Sequence, residues 1–258
     1  RPALIVADHG IGKKSLVNGL AQRMVQNDVP PRLRDKRLVR LSIPALVAGT
    51  TAAGAVERLM VVMHEVARSG NIIICIDNIH ELMGISAGGG QSLDVGGALA
   101  NALSSGRFTV IGTCTPEAYS QVIATTTLGS LFVPLKLSEM DDNQAIQALE
   151  SKVSMLEHQH DVFYSYGAIA KAVELSKRFL RETYLPGSAL QLLTEAGALA
   201  HATGDKKIIS AETVATVLSQ KTNIPVTAVA RDESTRLLQL ETTLHERVIG
   251  QDEAVSLV

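Results

Sequence analysis

The sequence predicts an α/β fold: a parallel sheet with helices on its faces, followed by a small all-helical domain. Three observations predict it. Short apolar runs alternate with amphipathic helical patterns over residues 1–137. Runs such as Ile72–Ile76 are apolar at every position, which suits strands covered on both faces. From residue 138 the strand signals stop and only helical patterns follow.

The strand candidates are ALIVA (3–7), LVRLS (38–42), IIICID (72–77), FTVIGT (108–113) and FVPLKL (132–137). After the first, Leu16, Leu20 and Met24 recur at four-residue spacing. After the second, Val56, Leu59, Met60, Met63 and Ala67 share one helical face, and Gly70 stops that helix. Glu57 and Arg58 read as its solvated side. Strand–helix–strand units imply right-handed crossovers. Beyond residue 138, the acids at 141–142 suit a helix N-terminus. Two further helices fall at 165–180 and 185–202, and Ser210 is an N-cap, with Thr213 where a capping-box acid would sit. The Gly-rich stretch 86–97 reads as a mobile loop.

Composition excludes several function classes. The chain has 258 residues, 46% of them hydrophobic, but only 3% aromatic and no Trp, so Val, Ile, Leu, Ala and Met must build the core. A net charge of −2 argues against a nucleic-acid or anionic-membrane surface. Two cysteines do not make a secreted disulfide framework and fit a reducing, cytoplasmic setting. No apolar run is long enough to span a membrane. The seven histidines lack metal spacing: His158 and His160 are two apart and do not share a helix face. The chain opens inside a strand-like run and reads as a piece of a longer protein.

Residues 7–14, ADHGIGKK, follow a strand and open a helix. That is the context of a phosphate-binding loop, Gly-x4-Gly-Lys-Ser/Thr. Backbone N–H groups from His9 through Gly10, Ile11 and Gly12 to Lys13 would cradle phosphate at the positive end of the helix. Lys13 stands at the phosphate lysine. Two positions depart. Ala7 replaces the first Gly, which matters only where φ must be positive. Lys14 replaces the hydroxyl residue that places oxygen on Mg²⁺, and a lysine cannot ligate a cation. Ser15 comes one residue late, about 100° around the helix. The plain alternative is a tight turn into a helix.

The third strand ends in Asp77, placed to hold Mg²⁺ through water, although a strand-end turn residue reads the same way. Asn78 follows where a Glu would polarise the attacking water. An amide cannot take that proton.

These residues together resemble the first ATPase module of the Clp class (ClpA, ClpB, ClpC) of AAA+ protein unfoldases. HGIGKKSLVNGLAQRMVQNDVPPRL, SIPALVAGTTAAG, DNIHELMG, DVGGALANALSSGRFTVIGTCTPEAY, LPGSALQLLTEAGA and LLQLETTLHERVIGQDEAV carry the resemblance across almost the whole chain. It implies a five-stranded, three-layer αβα core with a phosphate loop over 1–137, a helical lid over 138–221, and a linker with the start of a second ATPase module over 222–258. It also implies same-type subunits in a ring, a hexamer by the family pattern, a Clp peptidase as partner and protein substrates. The cofactor implied is ATP or ADP, bound weakly and with impaired Mg²⁺ ligation.

The departures from the family are specific. Thr51, Ala52 and Ala53 replace the pore loop's aromatic and its flanking charges. Ser130 and Leu131 stand at the paired arginine fingers, and Cys114 and Thr115 at the sensor-1 polar pair. Gly187 and Ser188 remove two lid charges. The long middle coiled coil of disaggregases is missing, which favours a ClpA- or ClpC-like partner of a protease. Cys114 reads equally well as a small packed residue. Three functions fit: a ring scaffold without hydrolysis, a slow working unfoldase module, and a nucleotide-binding switch without turnover.

Overall fold

The first apolar run, ALIV, becomes the second-innermost strand of a parallel sheet because both of its faces find cover. In the computed structural model, residues 1–85, 95–204 and 208–223 are described. The chain divides into two units, Arg1–Met140 and the part from Asp141 onward.

The strands of the first unit are β1 (Ala3–Val6), β2 (Arg37–Leu41), β3 (Ile72–Ile76), β4 (Thr109–Cys114) and β5 (Val133–Lys136). They form a five-stranded sheet in the order β2-β3-β4-β1-β5, with every pairing parallel. β5 lies at one edge, where Pro134 is tolerated because only β1 pairs with it. The helices are α1 (Lys13–Val25), α2 (Ile43–Val47), α3 (Ala52–Ser69), α4 (Val95–Ser104), α5 (Pro116–Ala118) and α6 (Thr127–Leu131).

Side chains alternate across the sheet. Leu4, Val6, Ile74, Ile76 and Val110 face α3 and α4, meeting Leu59, Met63, Leu99 and Leu103. Ile5 and Cys75 face the other way and meet Val17 of α1. β3 is therefore covered on both sides, as its unbroken apolar run requires.

Two predicted stripes are corrected. Leu16 is 48% exposed and Leu20 half-buried; α1 buries Met24 as expected, together with Val17. On α3, Val56, Leu59 and Met63 are buried as expected, but Met60, one residue past Leu59, is rotated about 100° from it and is exposed. Arg58 is exposed as expected, but it also donates to the Leu46 and Ala48 carbonyls and so pins the segment before α3.

The second unit contains α7 (Asp142–His160), α8 (Tyr166–Phe179), α9 (Gly187–Thr203) and α10 (Ala211–Thr222). Asp141 and Gln144 close a full capping box on α7. Ser210 caps α10, accepting from the Thr213 N–H. The lid is helical, with one addition that was not expected: β6 (Phe163–Tyr164) and β7 (Ile208–Ile209) pair in parallel and join the segments before α8 and α10. Residues 86–94 of the Gly-rich stretch, 205–207, and 224–258 of the predicted linker lie outside the described residues; Val95–Gly97 begin α4.

Candidate phosphate-binding site

The loop between β1 and α1 is shaped by two glycines. Gly10 has φ +91° and Gly12 has φ +105°, both in the region that side chains disfavour. Gly12 is also the N-cap of α1, accepting from the Leu16 N–H at 3.0 Å. Ile11, between them, is buried and anchors the loop in the core. Ala7 does not have positive φ. Its N–H donates to the Cys114 carbonyl at 3.1 Å, so the residue continues the sheet and needs no glycine.

A cleft of about 280 Å³ opens over this loop, lined by Asp8, His9, Gly10, Gly12, Lys13, Lys14, Ser15, Asn78 and Thr113. Helix α1 begins with two lysines and no acid in its first turn. Positive charge at a helix N-terminus opposes the helix dipole, a cost an anion in the cleft would offset. Lys13 Nζ donates back to the Ala7 and Asp8 carbonyls at 2.6 and 2.9 Å. Burial pulls its pKa below the usual lysine value, while the charges of Asp8, Cys114 and Asp77 pull the other way.

Asp77 follows β3, and its side chain is 21% exposed. Oδ2 lies 3.6 Å from Nε of Arg40, on the neighbouring strand β2. Oδ1 is buried without a hydrogen-bond partner. Arg40 also donates from Nη2 to Asn18 Oδ1 of α1 at 3.2 Å. Asn78 adopts φ +49°. Its N–H donates to Thr113 Oγ1, and its side-chain amide donates to Glu81 Oε1 at 2.8 Å.

The structure thus brings His9, Gly10, Gly12, Lys13, Lys14, Ser15 and Asn78 to one cleft, with Asp77 beside it. Cys114 is fully buried; burial pushes its thiol up to about 11, against the pull of Lys13. Thr115 caps α5, accepting from the Ala118 N–H. Thr51 likewise caps α3, accepting from the Gly54 N–H, so Ala52 and Ala53 lie in a helical first turn. Ser130 and Leu131 end α6, where Ser130 is exposed and donates to the Thr127 carbonyl. Sequence reasoning missed Thr113, one residue before the expected sensor position, and Arg40. The strand period would have found Arg40, since it puts Arg40 opposite Cys75 on the α1 side of the sheet.

The cleft's donors fit a polyphosphate: a glycine-shaped turn, a helix N-terminus and two lysines. They fit Mg²⁺ less well: Lys14 offers no oxygen at the hydroxyl position and Asp77 Oδ2 lies 3.6 Å from a guanidinium, which leaves Asp8, Ser15, Asn78 and Thr113 as oxygen-bearing side chains of the cleft, Thr113 already accepting from the Asn78 N–H.

Residues 3–153 match the ATPase family associated with various cellular activities (AAA), and residues 141–244 match the AAA lid domain. The ATP-dependent Clp protease ATP-binding subunit ClpE of Bacillus subtilis is 32% identical over 307 positions, covering 99% of this chain and 44% of ClpE. The ClpA homolog protein of Fuscovulum blasticum is 32% identical over 257 positions, covering 98% of this chain and 32% of that protein. The solved Hsp104–ADP complex of S. cerevisiae matches with TM-score 0.86 and 31% identity, over 99% of this chain and 44% of that one. The chain spans less than half the length of these relatives. No helix among the described residues is long and apolar enough to cross a membrane.

Proposed function

The chain belongs to the AAA ATPase family, its relatives are Clp-class ATPases, and from that premise we propose that it is a ring-scaffolding Clp-type module that does not hydrolyse ATP. The observation that carries this reading is Asn78. The group beside Asp77 in the cleft is an amide, and it is itself engaged as a donor to Glu81. General-base help of the kind lost here is worth about 10²–10⁴-fold in rate. The absence of arginine at Ser130 and Leu131 adds to the loss, since a trans arginine contributes about 10³–10⁵-fold in comparable enzymes. Alanines at 52 and 53 in a helical turn leave little to grip a peptide.

In this reading same-type subunits assemble into a ring, a second module in the same polypeptide does the hydrolysis, and a Clp peptidase receives protein substrates in the cytoplasm.

A second reading shares the same site: nucleotide is held without turnover and its occupancy is passed to neighbours. The glycine-shaped loop favours it, because binding depends on loop N–H groups more than on a base. The test for both is phosphate release in Mg²⁺-ATP by this chain beside its Lys13→Ala variant. Release equal in the two is the expected result. Turnover that needs Mg²⁺ and vanishes in Lys13→Ala overturns the proposal.

A further inference from the structure

We propose that Arg40 takes the place of a divalent cation at Asp77, so that the loop binds a nucleoside polyphosphate without metal. The inference rests on the nucleotide-holding reading above and concerns what neutralises the bound phosphates.

Four residues make a continuous strip from the loop to the sheet. Lys14 and Asn18 are four apart on α1 and share a helix face. Asn18 Oδ1 accepts from Arg40 Nη2 at 3.2 Å, which fixes the guanidinium between helix and sheet. Arg40 Nε then lies 3.6 Å from Asp77 Oδ2. The other oxygen, Oδ1, is buried without a hydrogen-bond partner. Mg²⁺ demands near-octahedral oxygen ligands at about 2.0–2.1 Å. Here one candidate ligand is a lysine, and Asp77 Oδ2 already has a counter-ion.

The same charges that repel Mg²⁺ suit phosphate. Lys13 and Lys14 stand at the helix N-terminus, and the loop residues His9, Gly10 and Gly12 line the same cleft. Two fixed cations beside an anionic chain supply much of the neutralisation that a dication would bring. Arg40 keeps the charge of Asp77 from opposing that anion. It is a positioning residue that acts through Asp77.

The test is the affinity of a fluorescent ATP analogue for this chain, measured in excess EDTA and in millimolar Mg²⁺, with phosphate release followed in the same samples. The wild-type dissociation constants should agree within about twofold, a difference well under 1.4 kcal/mol. Arg40→Gln keeps a donor for Asn18 but frees Asp77, and Mg²⁺ should then tighten binding by about tenfold or more. Arg40→Lys, which retains the charge, should stay metal-independent. Tenfold tightening by Mg²⁺ in the wild type overturns the proposal, and it does so even where Arg40→Gln fails to fold. Arg40→Gln that folds and stays metal-independent also overturns it. Mg²⁺-dependent binding without phosphate release sinks this inference alone. Absence of binding in either buffer removes the nucleotide-holding reading with it and leaves the scaffold.

Discussion

The backbone N–H of Asn78 donates to Thr113 Oγ1 across 3.1 Å, joining the end of β3 to the penultimate residue of β4. Thr113 is 1% exposed, so its hydroxyl is a buried group with a defined partner. Both residues line the cleft. Thr113→Val keeps the shape but leaves the Asn78 N–H without its acceptor, which costs about 1–3 kcal/mol. Thr113→Ser retains the oxygen and should lose much less. Thermal unfolding separates the two: Thr113→Val should melt several degrees below wild type, at roughly 2–4 °C per kcal/mol for a chain of this size. Equal midpoints for Val and Ser would remove the hydrogen bond from the account.

Asn78 also sets a limit on repairing the site. Its φ of +49° is left-handed, a conformation that Asn tolerates and most side chains do not. Asn78→Glu places the missing carboxylate in the sequence but strains the backbone by about 1–2 kcal/mol. It also removes the amide that donates to Glu81 and sets two carboxylates side by side. The expected outcome is a less stable protein with no gain in phosphate release, whereas Asn78→Gly should be stable and equally inactive. A rise in Mg²⁺-dependent phosphate release in Asn78→Glu alone would show that the base was the one missing part.

Much of this arrangement was legible in the residues, and the exceptions have geometric causes. The strands were readable because each is a short apolar run with turn signals on both sides. The loop was readable because Gly12-Lys13 sits between a strand and a helix. The helix stripes were less secure. Spacing of four advances about 400°, so Leu16, Leu20 and Met24 drift by about 40° at each step, while Val17 and Met24, seven apart, nearly superpose. The α3 cap hid in the pore-loop reading, because Thr51 followed by small residues looks like a loop until its hydroxyl is seen on the Gly54 N–H. The β6–β7 pair is two residues long on each side and leaves no periodicity to detect. For Arg40 the strand period gives the face but not the partners: Asn18 and Asp77 are distant in sequence, and they meet Arg40 only when α1 packs on the sheet and β2 pairs with β3.

In the lid, Tyr164 and Gly197 depend on each other. The Tyr164 hydroxyl donates to the Leu193 carbonyl at 2.9 Å, and a Cβ at position 197 would collide with that hydroxyl and sit tightly, at 3.1 Å, against the His160 ring. Gly197→Ala should therefore destabilise by about 1–3 kcal/mol despite the better helix propensity of Ala. Tyr164→Phe removes the obstructing oxygen. The double variant should be more stable than the sum of the single losses predicts, with a coupling of about 0.5 kcal/mol or more in denaturant titrations. Strict additivity would mean that the glycine is held for another reason.

Alkaline pH should weaken the fold, and the direction follows from three buried groups. Burial pushes the Cys75 thiol up to about 11, helped by the negative charge of Asp77 and opposed by Arg40. It pushes Cys114 up to about 11 as well, and Tyr164 up to about 12, with Glu157 adding to the latter. Each group holds its proton more tightly folded than unfolded. Their contribution is whole below the unfolded thiol value of 9.0 and is lost as pH climbs through the folded values. Lys13 works the other way, since burial lowers its pKa and favours the neutral amine in the fold. Three raised groups against one lowered group leave a net loss. Denaturation midpoints should be level through neutral pH and fall between about pH 9 and 12. Cys114→Val should flatten part of that fall. The same burial predicts that both thiols ignore a soluble disulfide reagent near pH 8 and react at once when the chain is unfolded. Rapid labelling of the folded chain, or midpoints that rise with pH, would contradict the buried positions assigned to Cys75 and Cys114.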